Sequence, residues 1–334
     1  MKIRLIAVLL AAALAAIGFA GCGGQAASSS SSAMSSSSAT SSSGSQATQS
    51  ADTVTFTDDL GKEVTVAKAP KRVVSCMGSF ADIWQLAGGT LVGAADEAFE
   101  DYGIDAGSVA RIGGFSNPDL EAIIALNPDF VICTGATAGR GGTDQTKLAD
   151  GLAASGIPVA YFTVTTFDDY LRMLKTCTEI TGDSSAYERY GTSQRAAIDA
   201  AIAKYSPGAA GKSVALLISY SGGARVQNAH TQTGAMLADL GYANVADKNP
   251  SLLSDFSVEA LLEINPDYVL VVPMGNTSDE AANAMAALTG NSAWSSLSAV
   301  AGGRFFQLDP ELYVNKPDAR WAEAYDKLGA LLAG

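Results

Sequence analysis

Short apolar runs alternate with helical patterns along most of the chain. The helical stretches between these runs place apolar residues three or four positions apart, for example from 118 to 126 and from 147 to 154. The runs themselves have the length of buried strands, and they lie at residues 72–76, 90–94, 130–133, 158–162 and 213–219. Strands that alternate with helices form parallel βαβ units, so the pattern predicts an α/β fold with parallel sheets.

One block of sequence occurs twice. Glu121–Ile132 aligns with Glu259–Leu270 at a constant offset of 138, and six of the twelve positions are identical. Each copy predicts a helix, a stop at Asn-Pro-Asp and then a strand. Proline disfavours the right-handed helical region for the residue before it, so Asn127 and Asn265 should end their helices. The repeat predicts two related Rossmann-like lobes.

A long helical pattern separates the two copies. Between residues 184 and 205 one face carries Tyr187, Tyr190, Gln194, Ile198, Ala201 and Tyr205. At 1.5 Å per residue this helix would be about 31 Å long, and Pro207-Gly208 should end it. The resulting division is a first lobe at 53–166, a connecting helical segment at 167–206 and a second lobe at 207–334.

The first fifty residues differ from the rest. Residues 1–21 have a positive start, an apolar middle and small residues at the end, which predicts a secretory signal. From Ser28 to Ser50, 14 of 23 residues are serine and none is charged. Such a segment has little to bury, so 22–52 is expected to be a disordered tether.

Composition excludes several classes of function. The chain has 334 residues and a net charge of −13, which disfavours nucleic-acid binding. It has one histidine, so a multi-histidine metal site is impossible. It lacks a P-loop, GxGxxG and GxSxG, and we expect no enzyme activity. Cys76, Cys133 and Cys177 follow no metal-binding spacing, and either a disulfide or buried free thiols are compatible with the sequence.

The order of these features resembles one family. Phe19-Ala20-Gly21-Cys22 is similar to a bacterial lipobox, and it is followed by the tether, a short β-hairpin at 54–66, Pro70-Lys-Arg-Val-Val-Ser75 and the two Asn-Pro-Asp blocks. The chain resembles the substrate-binding lipoproteins of ABC importers for iron–siderophore complexes, haem and vitamin B12. That resemblance implies two lobes joined by one rigid helix, with the ligand in the cleft between them.

The resemblance also implies a location and partners. Cys22 would be diacylated and would anchor the protein to the outer face of the bacterial cell membrane. The protein would be a monomer that delivers its ligand to an ABC permease dimer with ATPase subunits. In the family one glutamate per lobe docks on the permease, and Glu121 and Glu259 occupy the matching places. A local alternative is that both carboxylates only stabilise a helix N-terminus.

Candidate ligand-binding residues follow from the rule that ligands bind beyond the carboxyl ends of parallel strands. The loops expected there contain aromatic and sulfur-containing residues, which suit a large apolar chelate, and cations, which suit its carboxylates or oxygens. These candidates are Met77, Phe80, Tyr102, Phe115, Arg140, Tyr220, Arg225, Met274, Tyr313 and Lys316.

The identity of the ligand stays open at this point. A ferric siderophore is expected first, with Arg140 or Arg225 binding an anionic one, and no intrinsic cofactor is expected. Haem and cobalamin are alternatives. If the ligand were haem, His230 could be an axial ligand. A tethered adhesin or structural lipoprotein is a more distant alternative.

Overall fold

A computed structural model describes residues 48–49, 52–135, 144–274 and 278–334. The signal segment, Cys22, most of the tether and Arg140 lie outside the described residues.

A small antiparallel sheet precedes the first lobe. Its strands are β1 (Thr48–Gln49), β2 (Thr53–Thr57) and β3 (Glu63–Ala67). Alternate side chains of β2 and β3, among them Val54 and Val66, are buried, whereas their neighbours face solvent. The predicted hairpin is confirmed.

The first lobe contains a five-stranded sheet in which every pair is parallel, with the order β6-β5-β4-β7-β8. The strands are β4 (Val73–Ser75), β5 (Leu91–Ala94), β6 (Ala110–Arg111), β7 (Phe130–Thr134) and β8 (Val159–Phe162). Its helices are α1 (Gly78–Leu86), α2 (Glu97–Asp101), α3 (Leu120–Ala125) and α4 (Ala149–Ala154), with a 3-10 turn at Thr146–Leu148.

The second lobe repeats four of these five parallel strands and adds one antiparallel strand. Its strands are β9 (Ser213–Tyr220), β10 (Gly223–Gln227), β11 (Ala243–Asn244), β12 (Tyr268–Pro273) and β13 (Phe305–Gln307). β11, β9, β12 and β13 are parallel, but β10 returns antiparallel along β9. The predicted α/β fold with parallel sheets is confirmed, and β10 is an antiparallel addition that follows a two-residue turn at Ser221-Gly222.

The helices of the second lobe cover its sheet. They are α8 (Gln232–Asp239), α9 (Val245–Lys248), α10 (Val258–Ile264), α11 (Ser278–Thr289), α12 (Ser298–Ala301), α13 (Pro310–Tyr313) and α14 (Trp321–Ala333). Short 3-10 turns lie at Pro250–Leu253, Trp294–Ser296 and Asp318–Arg320.

The connecting segment is helical in two parts. It consists of α5 (Phe167–Thr181) and then α6 (Ser184–Tyr187), a π-helical turn (Glu188–Thr192) and α7 (Ser193–Ala209). Gly182 separates the parts with a φ of 85°. The predicted buried face is confirmed by Gln194 and Ile198, and α7 packs on α14. The helix runs one residue past the predicted stop at Pro207-Gly208 and ends at Ala209, because proline removes only its own N–H donor and the last two residues keep the helical conformation.

The two Asn-Pro-Asp blocks fold alike. Asn127 and Asn265 leave the right-handed helical region, as expected, but they adopt left-handed conformations with φ of 44° and 52° rather than extended ones. Asparagine tolerates this region and ends helices in it. Each aspartate then holds the start of the neighbouring central strand, β4 or β9: Asp129 accepts from the backbone N–H of Arg72 at 3.0 Å, and Asp267 accepts from that of Ser213 at 2.8 Å. The motif thus sets the start of the central strand in each lobe.

The three described cysteines are buried free thiols. Cys76 and Cys133 end neighbouring strands and contact each other, and burial raises the pKa of the Cys133 thiol. Of the two possibilities left open by the sequence, the structure has the reduced one.

Candidate functional site

A cavity of about 1040 Å³ opens between the lobes, at the carboxyl ends of their strands. Five of the loops that hold the predicted cleft residues contribute to it, namely those at Met77, Tyr102, Phe115, Met274 and Lys316. Its described lining consists of Met77–Ser79, Asp96, Glu97, Glu100–Tyr102, Gly114–Ser116, Pro273, Met274, Ala281, Asp309–Glu311 and Val314–Lys316. The volume suits a small organic ligand or a metal chelate.

Two exposed apolar side chains lie on opposite walls. Phe115, from the first lobe, is 40% exposed, and Met274, from the second, is 39% exposed. Among the described residues, the large apolar side chains that are exposed are Leu60, Phe115 and Met274. Large exposed apolar groups in a concave site are typical of ligand contacts.

Glu97 connects two segments of the cleft floor, the start of α1 and the loop at Phe115. Helix α1 begins without a side-chain cap at Met77, and Glu97 supplies the missing acceptor: its Oε1 accepts from Gly78 N at 3.0 Å. Its Oε2 accepts from Phe115 N at 3.2 Å. Burial raises the pKa of Glu97, while these hydrogen bonds oppose the rise. Sequence reasoning missed this residue, although the uncapped Met-Gly-Ser helix start was a signal.

Gln145 is a second positioning residue that the sequence did not reveal. Its side chain is fully buried, and Oε1 accepts from Thr134 N at 2.8 Å. Its Nε2 donates to Cys76 O at 2.6 Å and to Phe115 O at 2.7 Å. Glu97 and Gln145 therefore fix both sides of the Phe115 backbone.

Tyr102 and Lys316 join the two lobes at the cleft. The backbone N–H of Lys316 donates to Tyr102 Oη at 3.0 Å. Burial raises the pKa of Tyr102 and lowers the pKa of Lys316. Met77, Tyr102, Phe115, Met274 and Lys316 are the predicted cleft residues that line the cavity.

Two predicted cleft residues belong to the core instead. Phe80 is 1% exposed and packs edge-to-face on Phe162, because its position in the first turn of α1 directs its side chain into the core beneath the cleft. Tyr313 is 7% exposed, and its hydroxyl donates to Ala324 O at 3.0 Å. Neither side chain lines the cavity.

Three further candidates lie away from the cavity lining. Arg225 is on β10, where its Nε donates to Tyr220 Oη at 3.1 Å and its guanidinium stacks on the Tyr220 ring. Both belong to the β9–β10 hairpin, which replaced the expected cleft loop. His230 is exposed in the turn before α8, so the structure does not bring it to the cleft as an axial ligand.

A carboxyl pair lies below the cleft. Asp318 is 1% exposed, has a left-handed backbone with φ of 44°, and its carboxyl lies beside that of Asp82 on α1. Neither Asp318 oxygen receives a hydrogen bond from an N–H or O–H of the described residues. Two carboxyl groups bond each other only through a shared proton. Burial and the Asp82 charge raise the pKa of Asp318 well above 3.8, while Lys316 opposes the rise.

Glu121 and Glu259 occupy the same place in their repeats. Each is the second residue of its helix, after the capping residues Asp119 and Ser257, and each is exposed. Asn291 Nδ2 lies 3.4 Å from Glu259 Oε1, a weak contact that leaves the carboxylate accessible. The helices in the described parts of the chain are all too short or too polar to cross a membrane.

Two α/β lobes joined by a helical segment, with a cavity between them, define a two-lobed solute-binding protein. The family model described as "Periplasmic binding protein" matches residues 73–312, and the chain belongs to that family.

Relatives and solved structures agree with this assignment. The chain is 25% identical over 271 residues to the putative ABC transporter substrate-binding lipoprotein YhfQ of Bacillus subtilis, covering 77% of this chain and 81% of the relative. It is 25% identical over 277 residues to the iron(3+)-hydroxamate-binding protein FhuD of the same species, covering 79% and 81%. The structure of the iron-uptake ABC transporter substrate-binding protein PiuA from Streptococcus pneumoniae superimposes with a TM-score of 0.66 at 19% identity, covering 85% of this chain and 99% of that one. The chain is a substrate-binding protein of the ABC-importer type.

Proposed function

We propose that this protein captures a metal chelate of the ferric siderophore type outside the cell and delivers it to an ABC permease. The observation that carries the proposal is the cleft of about 1040 Å³ with Phe115 and Met274 exposed on opposite walls. Such a chelator fills the coordination shell of the iron itself, so the protein needs to offer only contact surface and hydrogen bonds. Related proteins bind ferric hydroxamate, ferric citrate and vitamin B12.

Delivery rests on Glu121 and Glu259. The two carboxylates are exposed at equivalent positions of repeated helices, one in each lobe. A permease built from two equivalent subunits presents two equivalent docking sites, and the repeat provides a matching pair. We assign both residues to permease docking.

Anchoring rests on the sequence. Cys22 follows a signal-like segment and precedes a serine-rich tether, and the relative YhfQ is named a lipoprotein. A lipid at Cys22 would hold a monomeric folded body on the outer face of the cell membrane. The tether of about thirty residues would allow a reach of about 30 Å.

The test is a titration of the purified full-length protein, in detergent, with a ferric tris-hydroxamate, ferric citrate, haemin and cobalamin. Phe115→Ala and Met274→Ala should each weaken binding of the preferred chelate by about ten-fold, as expected for losing a well-packed apolar contact. Leu60→Ala is the matched control, because Leu60 is 38% exposed and does not line the cavity. Failure of all four compounds to bind would favour an adhesin or structural lipoprotein. Binding that is insensitive to both cleft variants would contradict the site.

A further inference from the structure

The cleft wall is strongly acidic. Its described lining contains one cation, Lys316, and six carboxylates: Asp96, Glu97, Glu100, Asp101, Asp309 and Glu311. Outside the described residues, the segment 136–143 contains one charged residue, Arg140, and the segment 275–277 contains none. The predicted arginine partner Arg225 lies on the β9–β10 hairpin. The wall therefore does not fit the anionic siderophore expected from the sequence.

The carboxylates differ in how far they are neutralised. Asp96 and Glu100 share Arg111, whose Nη1 lies 3.1 and 3.5 Å from them. Glu311 shares Arg320 with Glu323. For Asp101, no cation of the described residues lies within ion-pairing distance. When Arg111 and Arg320 are included, the carboxylates of the cleft lining still outnumber the cations, so the net charge of the cleft stays negative.

Acidic groups from both lobes face each other at this rim. Glu100 and Asp101 come from the first lobe, and Glu311 comes from the second. Burial raises the pKa of Asp101, and the negative charges of Glu100 and Glu311 raise it further. Like charges across a cleft oppose its closure, whereas a cation between them would favour it. We call these three residues the acidic rim.

A second observation points to a ligand in the same cavity. Ser79 lines it, yet the residue is 2% exposed, and its Oγ has no hydrogen-bond partner among the described residues. A buried hydroxyl is normally paired, and an unpaired one at the floor of a cleft can bond an oxygen of a bound ligand. The floor thus offers a neutral hydrogen-bonding group, and the rim offers negative charge.

Charge separates the chelate classes sharply. Three hydroxamates, each with one negative charge, neutralise Fe³⁺, so a pendant ammonium makes the complex cationic. Three catecholates, each with two negative charges, leave a net charge of −3, and the propionates make ferric haem anionic. We propose that the cleft selects a neutral or cationic ferric hydroxamate and holds a protonated amine of that chelate at Glu100, Asp101 and Glu311. This inference rests on the proposed function and specifies its substrate.

The test compares two probes that differ in one charge: a ferric tris-hydroxamate with a pendant primary amine and the same chelate acetylated on that amine. With the full-length protein, acetylation should weaken binding by about ten-fold or more, as expected for a lost charge-assisted hydrogen bond. In the Asp101→Asn/Glu311→Gln variant the ratio of the two affinities should approach one. Asp255→Asn, an exposed carboxylate outside the lining, should keep the wild-type ratio. Asp101→Asn alone is the fallback if the double variant does not fold.

A ferric tris-catecholate is the third probe. It should bind most weakly to the wild-type protein and should gain affinity in the double variant, because repulsion is removed. Tightest binding of the tris-catecholate, or equal binding of the amine and its acetylated form, would overturn the inference and leave the proposed function intact. Binding of none of the three probes would overturn both.

Discussion

Replacing Asp318 by asparagine should stabilise the protein at neutral and alkaline pH. Asp318 is buried against Asp82, and the two carboxyl groups can bond only while one proton is shared. Asparagine supplies a permanent N–H donor in place of that proton. It also tolerates the left-handed backbone that Asp318 adopts at φ of 44°, so the change introduces no conformational strain.

The sign of the pH dependence follows from the raised pKa. In the folded protein the pKa of Asp318 lies above its ordinary value of 3.8, so the folded state binds the proton more tightly than the unfolded state does. The contribution of this group to stability is therefore complete below pH 3.8 and is lost as the pH rises through the raised pKa. Lys316 reduces the rise, and Asp82 increases it.

The expected magnitude comes from the environment of the carboxyl group. A buried polar group left without its hydrogen bond costs about 1–3 kcal/mol, and a charged one costs more. We expect Asp318→Asn to raise the free energy of unfolding by about 1–3 kcal/mol at pH 8. For a chain of this size, each kcal/mol corresponds to about 2–4 °C in Tm. The gain should shrink towards zero as the pH falls towards 3.8.

Urea unfolding followed by circular dichroism from pH 4 to pH 8 measures this difference. The matched control is Asp255→Asn, because Asp255 is exposed and away from the carboxyl pair. It should change stability by less than about 0.5 kcal/mol at every pH. The reasoning would be refuted if Asp318→Asn were less stable than the wild-type protein at pH 8, or if the two showed the same pH profile.

Two further predictions concern delivery and anchoring. Glu121→Arg and Glu259→Arg should each reduce uptake of the ligand. Ligand affinity and Tm should stay near wild type, because both side chains are exposed outside the cleft. Normal uptake in the double variant would contradict their docking role. Cys22→Ser should move the protein from the membrane fraction to the soluble fraction with unchanged ligand affinity, and retention of Cys22→Ser in membranes would show that residues 1–21 act as an uncleaved anchor.

The sequence by itself determined the local elements and their repetition. Apolar runs predicted β4, β5, β7, β8 and β9, and the repeat predicted β12, since buried parallel strands must be apolar along their whole length. The Asn-Pro-Asp repeat predicted two helix ends, and the conformations of Asn127 and Asn265 are set by their own side chains and the following proline. The rule that ligands bind beyond the carboxyl ends of parallel strands also predicted five of the loops that line the cavity, because this end of a sheet follows from topology alone.

Only the tertiary structure decided which side chains reach the cleft. Phe80 and Tyr313 lie in the expected loops or beside them, but rotation about the helix axis directs them into the core. Arg225 does not reach the cavity, because β10 pairs with β9 across the Ser221-Gly222 turn and so extends the sheet where a cleft loop was expected.

The charge of the cleft is likewise a property of assembly. Asp101 and Glu311 are 210 positions apart in the sequence, and Glu97 and Phe115 are 18 positions apart. No local sequence pattern links the members of either pair. Electrostatic fields and hydrogen bonds act through space, and spacing along the chain reports only neighbours within one element. Folding therefore determined that acidic groups from both lobes meet at one rim.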